Sequence, residues 1–359
     1  MKASAKRRQP RAILPPAAGL ALGAAAGWLC SRIGTPIPWM MGPLVAIAVS
    51  KVAGANVSAV PGGRQVGQWI IGTALGLYFT PVVVREVAGW WPLLAVGAVF
   101  AIGMGYAAGV ALARMAAIDR TTAIFGSVPG GAAEMAVLGE RFGARVDRVA
   151  SAQSIRLIIV VTTVPTIFAM LGVHGADAYV PGTTSFSAGG FALLMAATGI
   201  GGLLVSALRL PNAFVLGSLA VAIPLTAMEI NLSATPTFAS NAGQCLLGCA
   251  LGARFERDFF AGAPRFVLAV VATVIGAIVV SSGFGWIAAR IADLYPATVI
   301  LGLTPGGIAE MSVTAKVLQL GVPLVTSFHV TRVVALLLCT APLFARVRAW
   351  RQRKIEVRK

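Results

Sequence analysis

The chain has 359 residues, 57% of them hydrophobic and 11% charged, with a formal net charge of +17. A soluble domain carries about 25% charged residues, so there is too little charge here to cover a water-facing surface. The basic excess sits at the ends, with Lys2, Lys6, Arg7, Arg8 and Arg11 at one and Arg346, Arg348, Arg351, Arg353, Lys354, Arg358 and Lys359 at the other; short tails of this kind set topology and touch anionic lipid, which argues against a nucleic-acid partner.

In chain order, residues 1–15 predict a basic cytoplasmic tail, and the first apolar run, Ala12 to Leu29, follows. Its basic start and AAAG stretch also fit a cleaved signal peptide. A counterpart run at Phe191 to Leu208 has to be retained, which favours a span. Trp90 to Leu112, Phe266 to Ala289 and Pro323 to Ala345 are further runs, and only the last holds a Lys, Arg, His, Asp or Glu. Each run approaches or exceeds the roughly 20 residues that cross a bilayer as helix. None alternates as a barrel strand would. The fold class expected is an all-α polytopic integral membrane protein.

Two phrases recur. VGQWIIGTALGLYF at 66–79 returns as AGQCLLGCALGARF at 242–255, and PGGAAEM at 129–135 returns as PGGIAEM at 305–311, both after 176 positions. Arg156 matches Arg332 at that offset, and Gly42 of GPL matches Gly217 of GSL at an offset of 175. Repeats at a fixed offset mark a duplication. Repeat 1 is expected over 16–172 and repeat 2 over 190–345, with an extracytoplasmic linker at 173–189 rich in turn formers. A basic cytoplasmic tail is expected at 346–359.

Lys and Arg counts bear on orientation. If each PGG segment crosses, the repeats are parallel, and inside loops hold five basic residues against ten outside. If each enters and returns on one face, there are five spans per repeat and the second is inverted. Inside loops then hold eleven (Lys51, Arg64, Arg114, Arg120, Arg141, Arg145, Arg148, Arg209, Arg254, Arg257 and Arg265) against four outside (Arg32, Arg85, Arg290 and Lys316). The positive-inside rule favours two inverted five-span repeats, each with a broken or re-entrant PGG helix and both termini cytoplasmic.

Pro129, Gly130 and Gly131 break the helix in the first copy, and Pro305, Gly306 and Gly307 do so in the second. Unwound backbone at membrane depth is tolerated only inside protein or beside a wet cavity. Glu134 and Glu310 follow in the first turn of the next helix, where free N–H groups favour a carboxylate. Broken helices from inverted repeats that meet at the midplane form substrate and ion sites in secondary transporters. Two alternatives stand beside that role: each Glu caps its own helix, or pairs permanently with Arg156 or Arg332. The arginines are candidates for binding an anion, or else snorkel to the head groups.

Gln68 and Gln244 sit in the glycine-rich GQ helices and read as interhelical hydrogen bonds or as a cavity wall. Gln153 and His329 lie three residues before the repeated arginines and are candidates for a proton relay or for packing. Asp119, in a basic loop-like stretch, suits topology or capping. Cys30, Cys245, Cys249 and Cys339 show no CxxC, and with only His174 and His329 besides there is no ligand spacing for a metal. Neither a metal nor a cofactor is expected.

The doubled GQxxxGxALGxxF and PGGxxEM phrases, over two membrane halves, resemble the AbrB duplication family of bacterial inner-membrane proteins. The resemblance spans about residues 15 to 345. It implies a bacterial inner-membrane location and two family labels, regulator of gene expression and ammonia monooxygenase. The residues support neither label directly: there is no soluble DNA-binding segment and no oxygenase ligand set. They favour a secondary transporter of a small, anionic metabolite and not an enzyme. Its partners would be the bilayer and a small-molecule or ion substrate, with a homodimer left open. A membrane regulator acting indirectly is the alternative, and a membrane monooxygenase the least favoured.

Overall fold

The structure, a computed structural model, describes residues 16–55, 57–175, 179–183, 185–255 and 264–356, the side chains of Ala133 and of 340–356 excepted. The tail expected at 1–15, Arg257 and the last three residues (357–359) lie outside these. The described chain is helical: α1 (Pro16–Ile33), α2 (Pro38–Val52), α3 (Gly63–Gly76), α4 (Pro81–Gly89), α5 (Trp91–Ala116), α6 (Arg120–Ser127), α7 (Ala132–Glu140), α8 (Val146–Met170), α9 (Ala188–Ala207), α10 (Ala213–Ala227), α11 (Thr237–Gly252), α12 (Pro264–Ala292), α13 (Pro296–Leu303), α14 (Ile308–Val317) and α15 (Val322–Glu356). Proline opens α2, α4, α5 and α13 within the first two positions, where its missing N–H costs no helical bond. Asp119 caps α6 by accepting from the Thr122 N–H at 2.8 Å, and Ser187 caps α9 from its hydroxyl.

Among the described residues, five helices are long and apolar enough to cross a membrane: α5, α8, α9, α12 and residues 322–339 of α15. A sixth crossing arises if α3 and α4, bent 93° at their junction, count as one. Helix α8 carries its charged residues Asp147, Arg148 and Arg156 in its first half, with the apolar stretch beyond Arg156. The Ala12 run becomes the 18-residue α1. The boundary expected at 345 is not a break, since α15 continues as helix to Glu356. All four cysteines are free and lie in helices.

Packing sorts the helices into two groups. One is α1, α2, α3, α9, α10 and α11; the other is α5 to α8 with α12 to α15, and the groups touch mainly through α3 and α4. Small residues set the first group. A Cβ on Gly67 of α3 would lie 2.7 Å from the Gly243 carbonyl oxygen of α11, and one on Gly72 would lie 2.9 Å from the Val215 carbonyl oxygen of α10. Gly248 of α11 backs in the same manner onto Met40 of α2. The GQ helix α3 therefore packs on α10, and the GQ helix α11 on α2. Close backbone approach of this kind is what drives helix association in lipid. Gly67→Ala is expected to cost roughly 1–3 kcal/mol by forcing α3 from α11, read as an earlier SDS-unfolding midpoint. Gly103→Ala, where nothing lies within 4 Å of the new carbon, is the control and should be neutral or slightly stabilising.

In the second group the chain turns back on itself twice. The Arg145 N–H, at the start of α8, donates to Thr122 Oγ1 in the first turn of α6 at 2.8 Å, so α6 and α7 form a hairpin whose ends meet. The Gly321 N–H donates to Thr298 Oγ1 at 3.2 Å, closing α13 and α14 in the same way. Helix α12 relates the two. Near its start, Arg265 Nε donates to the Met115 carbonyl at 2.8 Å, and Arg148 lies 4.8 Å from the Phe266 ring, both beside the base of the first hairpin. Its other end runs into α13, at the base of the second. With 29 residues α12 is about 43 Å long, so the two bases lie at opposite ends of it.

Candidate functional site

The PGG phrases form the hairpin tips, and each residue of the phrase has a physical task. Proline centres a tight turn: the Gly130 N–H donates to the Val128 carbonyl and the Gly306 N–H to the Thr304 carbonyl, both at 2.8 Å. Gly131 and Gly307 then act as N-caps of α7 and α14, which start with Met135 N–H to Gly131 O at 2.8 Å and Met311 N–H to Gly307 O at 3.1 Å. The first glycine of each pair leaves room for the methionine: a Cβ on Gly130 would lie 2.7 Å from the Met135 Cγ, and Gly306 faces Met311 likewise. The second leaves room for the glutamate. The carboxyl of Glu134 folds back over Gly131, and that of Glu310 over Gly307, where a Cβ would overlap it. In each phrase acid and glycine thus share one space.

The sequence left a Glu–Arg pair or a snorkelling arginine open, and both are corrected. Arg156 and Arg332 are 5% and 4% exposed, too buried to reach head groups. Neither makes an ion pair among the described residues. They bond instead to the carbonyls that the breaks set free. Arg156 donates from Nη1 to Val128 O and from Nη2 to Gly130 O, both at 3.2 Å. Arg332 donates from Nη1 to Thr304 O at 3.1 Å and from Nη2 to Gly306 O at 2.6 Å. An unwound backbone in a dry setting needs such partners. The Nε atom of each arginine is buried with no partner.

Both tips meet in one narrow cleft with a cavity volume of about 30 Å³. From the hairpin group it is lined by Pro129, Gly130, Gly131, Gln153, Arg156, Gly306, Gly307, Glu310 and Arg332. Glu310 is buried and acts through space on Arg156, Arg254 and Arg332. Glu134 is not a lining residue; its Oε2 is buried and unpaired in its own hairpin. Gln153 completes the first staple, its Nε2 donating to Phe125 O at 2.7 Å and Val128 O at 2.8 Å. His329, at the matching place, is fully buried; neither ring nitrogen completes a well-formed hydrogen bond, the Leu301 carbonyl being the backbone group that faces it. Pro305 lies on a neighbouring cavity beside Arg156. Gln244 is buried in α11 away from the cleft.

The other group adds residues that the sequence reading had taken only as loop charges or had passed over: Arg64, Asn212 and Arg254. Asn212 Oδ1 accepts from Arg64 at 3.3 Å and from Gln68 Nε2 at 3.2 Å, which places Gln68 one bond behind the wall. Arg254 donates to Ser154 Oγ at 3.4 Å. The signal for Arg254 was its place inside the repeated GQ phrase, opposite Tyr78 of the first copy. Asn212 stands before α10 in a left-handed conformation, φ 49°, that asparagine tolerates better than most residues. The cleft gathers four guanidiniums and one carboxylate, so its chemistry is that of an anion receptor.

A family model described as "Transition state regulatory protein AbrB" matches residues 39–348. Two relatives are similar over most of their lengths. One, from Bacillus subtilis (strain 168) and named "Uncharacterized protein YhjN", is 26% identical over 356 residues, covering 90% of this chain and 91% of the relative. The other, from Escherichia coli (strain K12) and named "Putative regulator AbrB", is 22% identical over 313 residues, covering 87% and 90%. The matched span runs from α2 into α15 and takes in both hairpins and the whole cleft. The chain belongs to the AbrB family.

Proposed function

We propose that the protein is a secondary transporter that carries a small anionic metabolite through the cleft between its two helix groups. The observation that carries this reading is the meeting of two helix breaks, each stapled by its own arginine, in one polar pocket. In this proposal α1, α2, α3, α5 and α8 form one five-span repeat, and α9, α10, α11, α12 and α15 an inverted second. The hairpins α6–α7 and α13–α14 then re-enter from opposite faces of a bacterial inner membrane, with both termini cytoplasmic. The placement of the hairpin bases at opposite ends of α12 supports the inversion, as does the reciprocal packing of α3 on α10 and α11 on α2. Arg114, Arg120, Arg145, Arg148 and Arg265 flank the first base, which suits a cytoplasmic face. Glu310 and Glu134 are the groups on which a proton or the substrate acts, and the reaction is movement and not bond chemistry. The word regulator in the family description and in the Escherichia coli relative's name fits an indirect effect, through a signalling metabolite whose level the carrier sets.

The test starts with a metabolite comparison between cells lacking and cells overproducing the protein. An anion that changes in opposite senses is then loaded into proteoliposomes. Saturable counterflow is expected, with Glu310→Gln slowing gradient-driven uptake at least tenfold. If no such anion shows counterflow, the carrier reading fails. Cysteines at Ser185 and Glu140, both exposed, should label from opposite faces; labelling from one face would end the inverted arrangement.

A further inference from the structure

Resting on the carrier reading, we infer that the cleft is built for a short organic dianion, a dicarboxylate, gripped by arginines from both helix groups and requiring no coupling metal cation.

The backbone argues first. A broken helix exposes carbonyls, and such carbonyls are where a transporter holds a sodium ion. Here the carbonyls of Val128, Gly130, Thr304 and Gly306 already receive guanidinium N–H groups. The positive charge that a bound cation would bring is part of the chain.

Charge argues next. Among lining residues, four guanidiniums (Arg64, Arg156, Arg254 and Arg332) against the Glu310 carboxylate leave +3, and counting Glu134, which acts on Arg254 through space, leaves +2. Confined like charges destabilise one another until a counter-charge enters. A dianion balances the lower count, whereas a monoanion leaves an excess of base.

Donors come third. The Nε atoms of Arg156 and Arg332 are buried with no partner, on side chains that are at least nine-tenths buried and line the cleft. A guanidinium fork matches the planar carboxylate group. Beside each arginine starts a helix, α7 at Gly131 and α14 at Gly307, but the Glu134 and Glu310 carboxyls already lie over those starts, so the open donor at each hairpin is the arginine. The pocket therefore offers two such stations, one per hairpin.

The apolar part of the wall separates an organic dianion from an inorganic one. Leu157 and Val333 line the cleft at matching places, one residue beyond each arginine, and Ala132 and Ile308 open the two helices. Hydrocarbon between two carboxylates would meet these side chains. Phosphate or sulfate would set charge against them. The cavity itself measures about 30 Å³, room for water, so the two helix groups have to part to admit the dianion.

Arg254 is the residue that tests the assignment, because it comes from the other helix group and takes no part in either staple. The full chain in lipid nanodiscs is titrated calorimetrically with succinate, acetate, phosphate and sodium ions in turn. Succinate is expected to bind saturably and at least tenfold tighter than acetate or phosphate. Sodium should give no heat and leave succinate affinity unchanged. Arg254→Gln should weaken succinate at least tenfold with an unaltered ligand-free melting temperature, and Arg64→Gln serves if that variant does not fold. Equal binding of phosphate or acetate, sodium-dependent binding, wild-type affinity in the variants, or no dianion binding overturns the inference. Counterflow of a different anion would leave the carrier reading standing without it; succinate binding with no counterflow would leave the dianion site standing without the carrier.

Discussion

Replacing Arg332 with Met is expected to destabilise the protein more than any other single change in the cleft. The guanidinium holds the Thr304 and Gly306 carbonyls at 3.1 and 2.6 Å in a fully protein-lined setting. Methionine keeps much of the side-chain volume but leaves both acceptors without a donor. An orphaned buried polar group costs roughly 1–3 kcal/mol, so two of them together approach the whole stability of an ordinary domain. Arg332→Lys should recover part of the loss, since an ammonium keeps the charge but cannot span two carbonyls as a fork does. Arg156→Met should cost less, because its bonds are longer at 3.2 Å. SDS-unfolding midpoints rank the three variants, and an Arg332→Met protein as stable as wild type would show that the staple has no energetic weight.

Gly307→Ala is expected to have the second largest effect, and the size should depend on residue 310. The new Cβ would stand where the Glu310 carboxyl lies, so the acid must leave its place over the first turn of α14. Overpacking of this kind costs roughly 1–3 kcal/mol. In a Glu310→Ala background the same glycine change has no carboxyl to displace and should cost far less. Neighbouring residues that share a space are non-additive, and a double-mutant cycle on unfolding midpoints reads that coupling. Additive effects would mean that glycine and glutamate do not compete for one space.

The breaks were legible in the sequence because proline and paired glycine disrupt helices by local sterics alone. The same holds for the Asp119 cap. The partners of Arg156 and Arg332 were not legible, for a definite reason. An arginine in an apolar segment suggests a carboxylate nearby, and Glu134 and Glu310 were at hand. The acceptors that win are carbonyls 26 and 28 residues back, freed by the very breaks that had been recognised. Their acceptor strength is invisible in residue letters, since every residue has a carbonyl. Arg64, Asn212 and Arg254 join the cleft through contacts up to 148 residues apart, which no local pattern records. Helix α8 was legible as the apolar segment that opens at Arg156, while the place of its charged first turns at the hairpin base was not.

Lys316, at the end of α14, lies with its ammonium 5.8 Å from the Tyr78 ring at the end of α3. The positions 176 residues away are Glu140 and Arg254, and these stand apart: Glu140 is exposed while Arg254 reaches Ser154. The second copy of the phrase thus carries a cation–aromatic contact that the matching positions of the first do not repeat. A cation over a ring face is attracted by the ring quadrupole, worth roughly 0.5–1 kcal/mol at an exposed site. A single ammonium therefore ties the foot of the second hairpin to the end of α3, a tether with no twin at the matching positions of the first.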